Sequence, residues 1–349
     1  MGQIKLGFIG LGRMGITHLS ILNSNPNVNI TSACDPSIII NIFFKKYFDS
    51  INLYHDHTEL IDKEKPDAII VSTPPNLHYQ VVEEAIKNNI NIFAEKPFTL
   101  SYKESSILAN LAEEKGIINQ AGYVNRFNDM FLKTKELIVN NVIGKLTGFK
   151  SEMFSNTISK EDTVEGWRGN EELGGGCLNE MASHAVDLVN YIIGVPDMVS
   201  KSVLSKILSK SVDDVVSSTF IYKNGISGTL YVNWCDPAYR KPSNKLEISG
   251  TEGQLWVDQH GIKIFLKRAY EMYNLKEGLN KIYITDVFNN VPFYVRGNEF
   301  TSQLYHFIKC LNGGDVKKVC TFRDAAETQK VLNMIREDSK KGKFYDAKN

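Results

Sequence analysis

The sequence carries no net charge: Lys plus Arg and Asp plus Glu both number 40 in 349 residues. With no excess of either sign, nothing draws the chain toward nucleic acid or an anionic membrane, and neither partner is expected. Cysteine is scarce. The five residues Cys34, Cys177, Cys235, Cys310 and Cys320 are an odd number and form no C-x-x-C pair. That argues against a disulfide framework and a structural zinc site. No apolar run approaches the ~18 residues of a membrane helix. Residues 1–10 enter a strand pattern without a charged stretch and apolar leader, so a reducing cytoplasm is the expected location. His55-Asp56-His57 offers two histidines without a third ligand and reads as a solvated loop, so no metal is expected. There is no internal repeat and no low-complexity linker. The basic tail KKGKFYDAKN reads as a frayed, solvated end.

What is present is a chain with 42% hydrophobic residues and the length of about two domains. Residues 1–122 alternate short apolar runs with helical patterns. Strands are predicted at Lys5–Ile9, Asn29–Cys34, Asp67–Ser72, Asn91–Glu95 and Ile117–Ala121. Helices are predicted at Gly12–Asn23, Ile38–Phe48, Asn76–Asn88 and Ser101–Lys115, the last opened by the capping box Ser101-x-x-Glu104 and closed by Gly116. This is the signature of an α/β fold, a Rossmann-type doubly wound parallel sheet covered on both faces.

The period changes after Gly122. Residues 123–349 read as an α+β domain for substrate binding and oligomerisation, whose last helix can pack back on the first domain. Helices are predicted at Asp129–Asn141, Met181–Ile193, Asn298–Leu311 and Phe322–Asp338. Alternating strands are predicted at Val199–Leu208, Asp214–Tyr222, Ile226–Trp234, Lys245–Ser249, Gln254–Val257 and Ile262–Leu266, with hairpin signals at Asn224-Gly225 and Thr251-Glu252-Gly253. They imply a large, mainly antiparallel open sheet. Helices can cover one face and a second subunit the other, so a homodimer or homotetramer through this sheet is expected.

The segment GFIGLGRMGITH places Gly10-x-Gly12-x-x-Gly15 between a strand and a helix. Gly10 suits the tight turn, Gly12 the approach of a pyrophosphate, and Gly15 close helix–strand packing. Free N–H groups at the helix start then hold phosphate, with Arg13 and Met14 as further neighbours. Asp35 ends the second strand 20 residues after Gly15. Its carboxylate can accept from ribose hydroxyls and repels a 2′-phosphate, favouring NAD over NADP. The loop Ser72-Thr73-Pro74-Pro75-Asn76-Leu77-His78 follows the third strand, where open α/β sheets bind ligands. Ser72, Thr73, Pro74, Asn76 and His78 are therefore cofactor candidates. Helix capping competes for Asn76, and a surface or core role for His78.

Two further motifs, Ala94-Glu95-Lys96-Pro97 and the run Gly174-Gly175-Gly176 through Asn179-Glu180 to His184 and Asp187, complete a pattern. The chain resembles the glucose–fructose oxidoreductase and inositol dehydrogenase (Gfo/Idh/MocA) family over nearly its whole length. The resemblance implies that Glu95 and Lys96 lie at the nicotinamide, that the bond before Pro97 is cis, and that the substrate is a carbohydrate. A lysine can act as base where burial or a nearby cation lowers its pKa. Glu180 and His184, at i and i+4, share one helix face, and Asp187 could orient the imidazole. The family has Asp at the Glu180 position and often Gly at the Ala182 position, so this chain departs at both. Lys96 and His184 are expected to handle the proton while Glu180 positions substrate. Asn125, Trp167 and Arg168 are further cofactor candidates; Arg126, Tyr239 and Arg240 are substrate candidates.

The expected activity is an NAD-dependent dehydrogenase or reductase of a sugar, inositol or sugar nucleotide. The alternatives are a non-enzymatic NAD-binding regulator, or an enzyme that retains its cofactor for sugar–sugar oxidoreduction or glycoside cleavage.

Overall fold

The structure is a computed structural model that describes residues 2–161, 166–292, 294–314 and 316–341. Residues 342–349 of the basic tail lie outside the described residues. The chain forms two compact units: residues 1–127 with 290–326, and residues 128–289 with 327–349.

The first unit is built on β1 (Ile4–Ile9), α1 (Arg13–Leu22), β2 (Val28–Cys34), α2 (Ile38–Tyr47), β3 (Asn52–Tyr54), α3 (His57–Glu64), β4 (Ala68–Val71), α4 (His78–Lys87), β5 (Asn91–Ala94), α5 (Tyr102–Glu114) and β6 (Asn119–Ala121). Its six strands run in the order β3-β2-β1-β4-β5-β6, every pair parallel. β4 is buried at every position because helices cover both faces of the sheet. The order reverses between β1 and β4, which opens a ligand crevice at the strands' carboxyl ends. Ser101 caps α5, its Oγ accepting from the Glu104 N–H at 3.2 Å.

The second unit holds α6 (Asp129–Val139), β7 (Leu146–Phe154), α7 (Ser183–Ile192), β8 (Met198–Ser205), β9 (Val215–Ile221), β10 (Ser227–Asn233), β11 (Ser243–Gly250), β12 (Gly253–Val257), β13 (Gly261–Leu266), β14 (Gly278–Tyr283) and α8 (Ile284–Val287). Eight strands pair in the order β14-β13-β12-β11-β7-β10-β9-β8, antiparallel except for β7 with β10. β9 and β10 meet at Asn224-Gly225, where Gly225 takes φ +87° as this turn demands. Inward residues such as Phe220, Leu230, Val232 and Ile248 pack with Val186 and Val189 of α7 in one core.

The first unit also takes in residues from near the end of the chain. α9 (Asn298–Leu311) belongs to the first unit and buries Leu304, Phe307 and Ile308 with Leu19, Leu22 and Phe93. α10 (Phe322–Lys341) begins there too, with Phe322 stacked on Phe98 at 4.1 Å. Its later residues Val331, Leu332 and Ile335 join the second core. Five elements escape the sequence reading: β3, α3, β7, β14 and α8. β3 spans three residues at a sheet edge, and α3 buries only Leu60 and Ile61. Asp56 of the His55-Asp56-His57 segment caps α3, accepting from the Thr58 and Glu59 N–H groups. Among the described residues no helix is long and apolar enough to cross a membrane.

Candidate active site

The cofactor cradle lies at the carboxyl end of β1. Gly10 takes φ +91°, and a Cβ there would sit 2.7 Å from the Ser72 carbonyl carbon. At Gly15 a Cβ would meet the Gly10 oxygen at 2.0 Å. Turn and packing thus require both glycines. Gly12 is different: no atom lies within 4 Å of its would-be Cβ, so the protein itself leaves that space open. Gly12 caps α1 with no side-chain hydrogen bond, and the first turn carries no acidic residue. Open space over unclaimed N–H groups fits a pyrophosphate. Arg13 is exposed beside it and Met14 half-buried.

Asp35 closes the cradle on the other side. Its carboxylate accepts the Leu11 N–H at 2.9 Å and the Ser37 N–H at 2.9 Å, which leaves lone pairs for ribose hydroxyls. Ser72 donates to the Gly10 oxygen at 2.8 Å. Asn76 is exposed in a short 3-10 turn and makes no capping bond, and Pro74 next to it is exposed. His78 is fully buried, with one ring nitrogen 2.9 Å from the Thr73 oxygen and the other 3.1 Å from the Pro97 oxygen. Burial lowers its pKa despite those carbonyls. Its geometry is that of a core histidine bracing two loops.

β5 delivers Glu95 and Lys96 beside the same crevice, and the Lys96–Pro97 bond is cis. Glu95 is buried; it meets His18 at 2.6 Å and accepts the Lys96 backbone N–H at 3.1 Å. Burial pushes the Glu95 pKa up, but the bond to His18 and the nearby Lys96 outweigh it, leaving it lowered. Asn125 lies in a 3-10 turn, and Arg126 after it is buried, 3.1 Å from Asp324. The structure thus ties the Arg126 guanidinium into an ion pair, a role the sequence does not reveal.

In the second unit the expected regular helix start is replaced. Leu178–Ala182 form a π turn that passes into α7, so Glu180 lies on the wide turn and His184 on the first turn of α7. Such turns recur at functional sites. Asp213 fastens the start: its carboxylate accepts the Leu178 N–H at 2.7 Å, and its backbone oxygen accepts the Cys177 N–H at 2.8 Å. Burial raises its pKa to about 6. Arg336 donates to Asn179 at 2.9 Å. Glu180 accepts from Arg168 Nη2 at 3.2 Å, and Arg168 also covers the Trp167 ring. The structure therefore brings three predicted residues together. Asp187 is buried and accepts from Thr328 at 3.1 Å. Tyr239 stacks on Phe154 at 4.7 Å and takes a hydrogen bond from Lys245, while Arg240 is exposed. Sequence reading missed His18, Asp213, Asn179 and Arg336. Only His18 left a signal, as a histidine on the apolar face of the glycine-loop helix.

Residues 4–123 match the oxidoreductase family with NAD-binding Rossmann fold, and residues 131–256 match the C-terminal domain of the GFO/IDH/MocA proteins. The chain belongs to this family. It is an NAD-binding oxidoreductase. Among its relatives, the 2,7-anhydro-N-acetylneuraminate hydratase of Escherichia coli (strain K12) is 28% identical over 73% of this chain and 68% of its own length. The scyllo-inositol 2-dehydrogenase (NAD(+)) of Bacillus subtilis (strain 168) is 24% identical over 89% of this chain and 87% of its own. A levoglucosan dehydrogenase solved with NADH and levoglucosan shares the fold, with TM-score 0.83 at 19% identity, covering 97% of this chain and 98% of that one.

Proposed function

We propose that this oxidoreductase interconverts a hydroxyl and a keto carbon of a sugar, inositol or sugar nucleotide. The observation that carries the reading is Lys96, fixed at the end of β5 in the unit that also holds the open glycine cradle. When bound, NAD supplies the two-electron acceptor or donor. The side chains handle the rest. Lys96 and His184 move the hydroxyl proton, and Glu180, steadied by Arg168, positions the substrate. Asp35 disfavours a 2′-phosphate, so NAD serves rather than NADP. The names of the relatives, an inositol dehydrogenase and an anhydro-N-acetylneuraminate hydratase, support a polyhydroxylated substrate.

An NAD-linked screen of inositols, aldoses and sugar nucleotides identifies that substrate. With it, Lys96→Met removes most turnover while NAD still binds, and His184→Ala slows the reaction ~10²–10⁴-fold. Near-native turnover in purified Lys96→Met would refute the assignment. The hydratase name of one relative favours a second reading, in which the cofactor stays bound and acts transiently. Nucleotide surviving extensive dialysis, with no net NADH release, selects that reading.

The free cysteines, three of them buried, support a reducing cytoplasm. We further propose that the outer face of the eight-stranded sheet joins copies of the chain into a homodimer or homotetramer.

A further inference from the structure

One buried pair in the first unit stands directly behind Lys96. His18 projects from α1, is completely buried and stands edge-on to Phe93 at 5.3 Å. Its Nε2 lies 2.6 Å from Glu95 Oε1, while Glu95 Oε2 accepts the Lys96 N–H at 3.1 Å. Gly122 packs against the same carboxylate, where a Cβ would come within 3.0 Å of Oε1 and 2.9 Å of Oε2. Both carboxylate oxygens are thus engaged and its flank is closed.

The charge of the pair follows from the imidazole. His18 Nδ1 is buried with no hydrogen-bond partner among the described residues. A proton there would be an orphaned buried donor, whereas a bare ring nitrogen is tolerated. The single proton belongs on Nε2, facing Glu95. The pair is then a neutral imidazole and a carboxylate, with one net negative charge. The groups that feel this carboxylate are Lys96 next to it, His78 from α4 and Arg296 from the segment before α9.

We propose that His18 and Glu95 form a positioning device for Lys96, tying the end of β5 to α1 and holding a fixed negative charge beside the ammonium. The proposal rests on Lys96 as the proton-handling group. A cationic cofactor ring favours the neutral amine, and the Glu95 charge favours the ammonium. The balance sets where Lys96 exchanges its proton.

The test reads Lys96 directly and needs no substrate. Protein labelled with 13Cε-lysine, saturated with NAD, is titrated from about pH 6 to about pH 11, and the Lys96 resonance is assigned by its loss in Lys96→Arg. Glu95→Gln removes the charge and keeps an acceptor oxygen for the His18 Nε2 proton, at the cost of the bond to the Lys96 N–H. It lowers the Lys96 midpoint by about one pH unit. His18→Gln keeps a donor and the charge, and leaves the midpoint near the native one. Should Glu95→Gln not fold, Glu95→Met serves: it removes the charge outright and fills the same buried space. An unmoved midpoint in a folded Glu95→Gln or Glu95→Met protein overturns the proposal. A native midpoint at the ordinary lysine value with NAD bound instead overturns Lys96 as the base, whatever Glu95→Gln does.

Discussion

Gly12 and Gly15 are three residues apart and are glycine for different reasons. A methyl at Gly15 would collide with the Gly10 oxygen at 2.0 Å and with Ser72 Oγ at 2.8 Å, both inside the fold. A methyl at Gly12 would enter open space, on a backbone with the ordinary φ of −66°. Gly12→Ala should therefore keep stability within about 1 kcal/mol of native yet weaken NAD at least about tenfold. Gly15→Ala should lower the melting temperature before any ligand is added. Thermal melts and NADH fluorescence titrations separate the two, and full NAD affinity in Gly12→Ala would deny that residue its ligand role. Motif residues such as these are legible because their partners lie a few positions away. The His18–Glu95 pair spans 77 positions, and Arg126 finds Asp324 at the far end of the chain. Nothing local in the sequence marks either.

At the scale of the element, the segment bearing Glu180 and His184 shows how a spacing can be read while its geometry is missed. The i, i+4 relation marks a common face, but the π turn depends on what lies beneath it, chiefly Asp213 from the loop before β9 and Arg336 from α10. The Asp213 carboxyl has a folded-state pKa of about 6, raised by burial above its unfolded value near 3.9. It holds its proton more tightly when folded. Its contribution to stability is thus complete below about pH 4, declines as pH rises and is lost above about pH 6. Asp213→Asn is neutral throughout and lacks that decline. Native stability measured against this variant should fall by up to about 3 kcal/mol between about pH 4 and about pH 7, by urea unfolding. A constant difference would remove Asp213 as a titrating brace. The unread strands have similar causes. β14 alternates half-buried and exposed positions at a sheet edge, and β7 mixes Lys150 and Glu152 into its outer face, so neither carries a strong apolar period.

For the whole molecule the open question is the outer face of the eight-stranded sheet. Alternation sends Ile262, Ile264 and Leu266 of β13 into the core and leaves Lys263 and Phe265 outside. Phe265 stands directly opposite Leu279 of β14, and the two are 46% and 62% exposed. Tyr231 and Tyr283 are exposed as well, among lysines and glutamates that pair within the face, such as Lys150 with Glu152 at 2.6 Å. A lone apolar side chain on a surface is ordinary, but an exposed cross-strand apolar pair is the pattern of a covered face. If a second copy covers it by two-fold symmetry, the same residues lie on both sides of the contact. Light scattering should then give a dimer or tetramer at micromolar concentration. The double variant Phe265→Glu, Leu279→Glu should shift it to the monomer while far-UV circular dichroism stays native, since neither side chain serves the core. A native chain that scatters as a monomer across that range would leave this face to solvent and remove the subunit interface from the proposal.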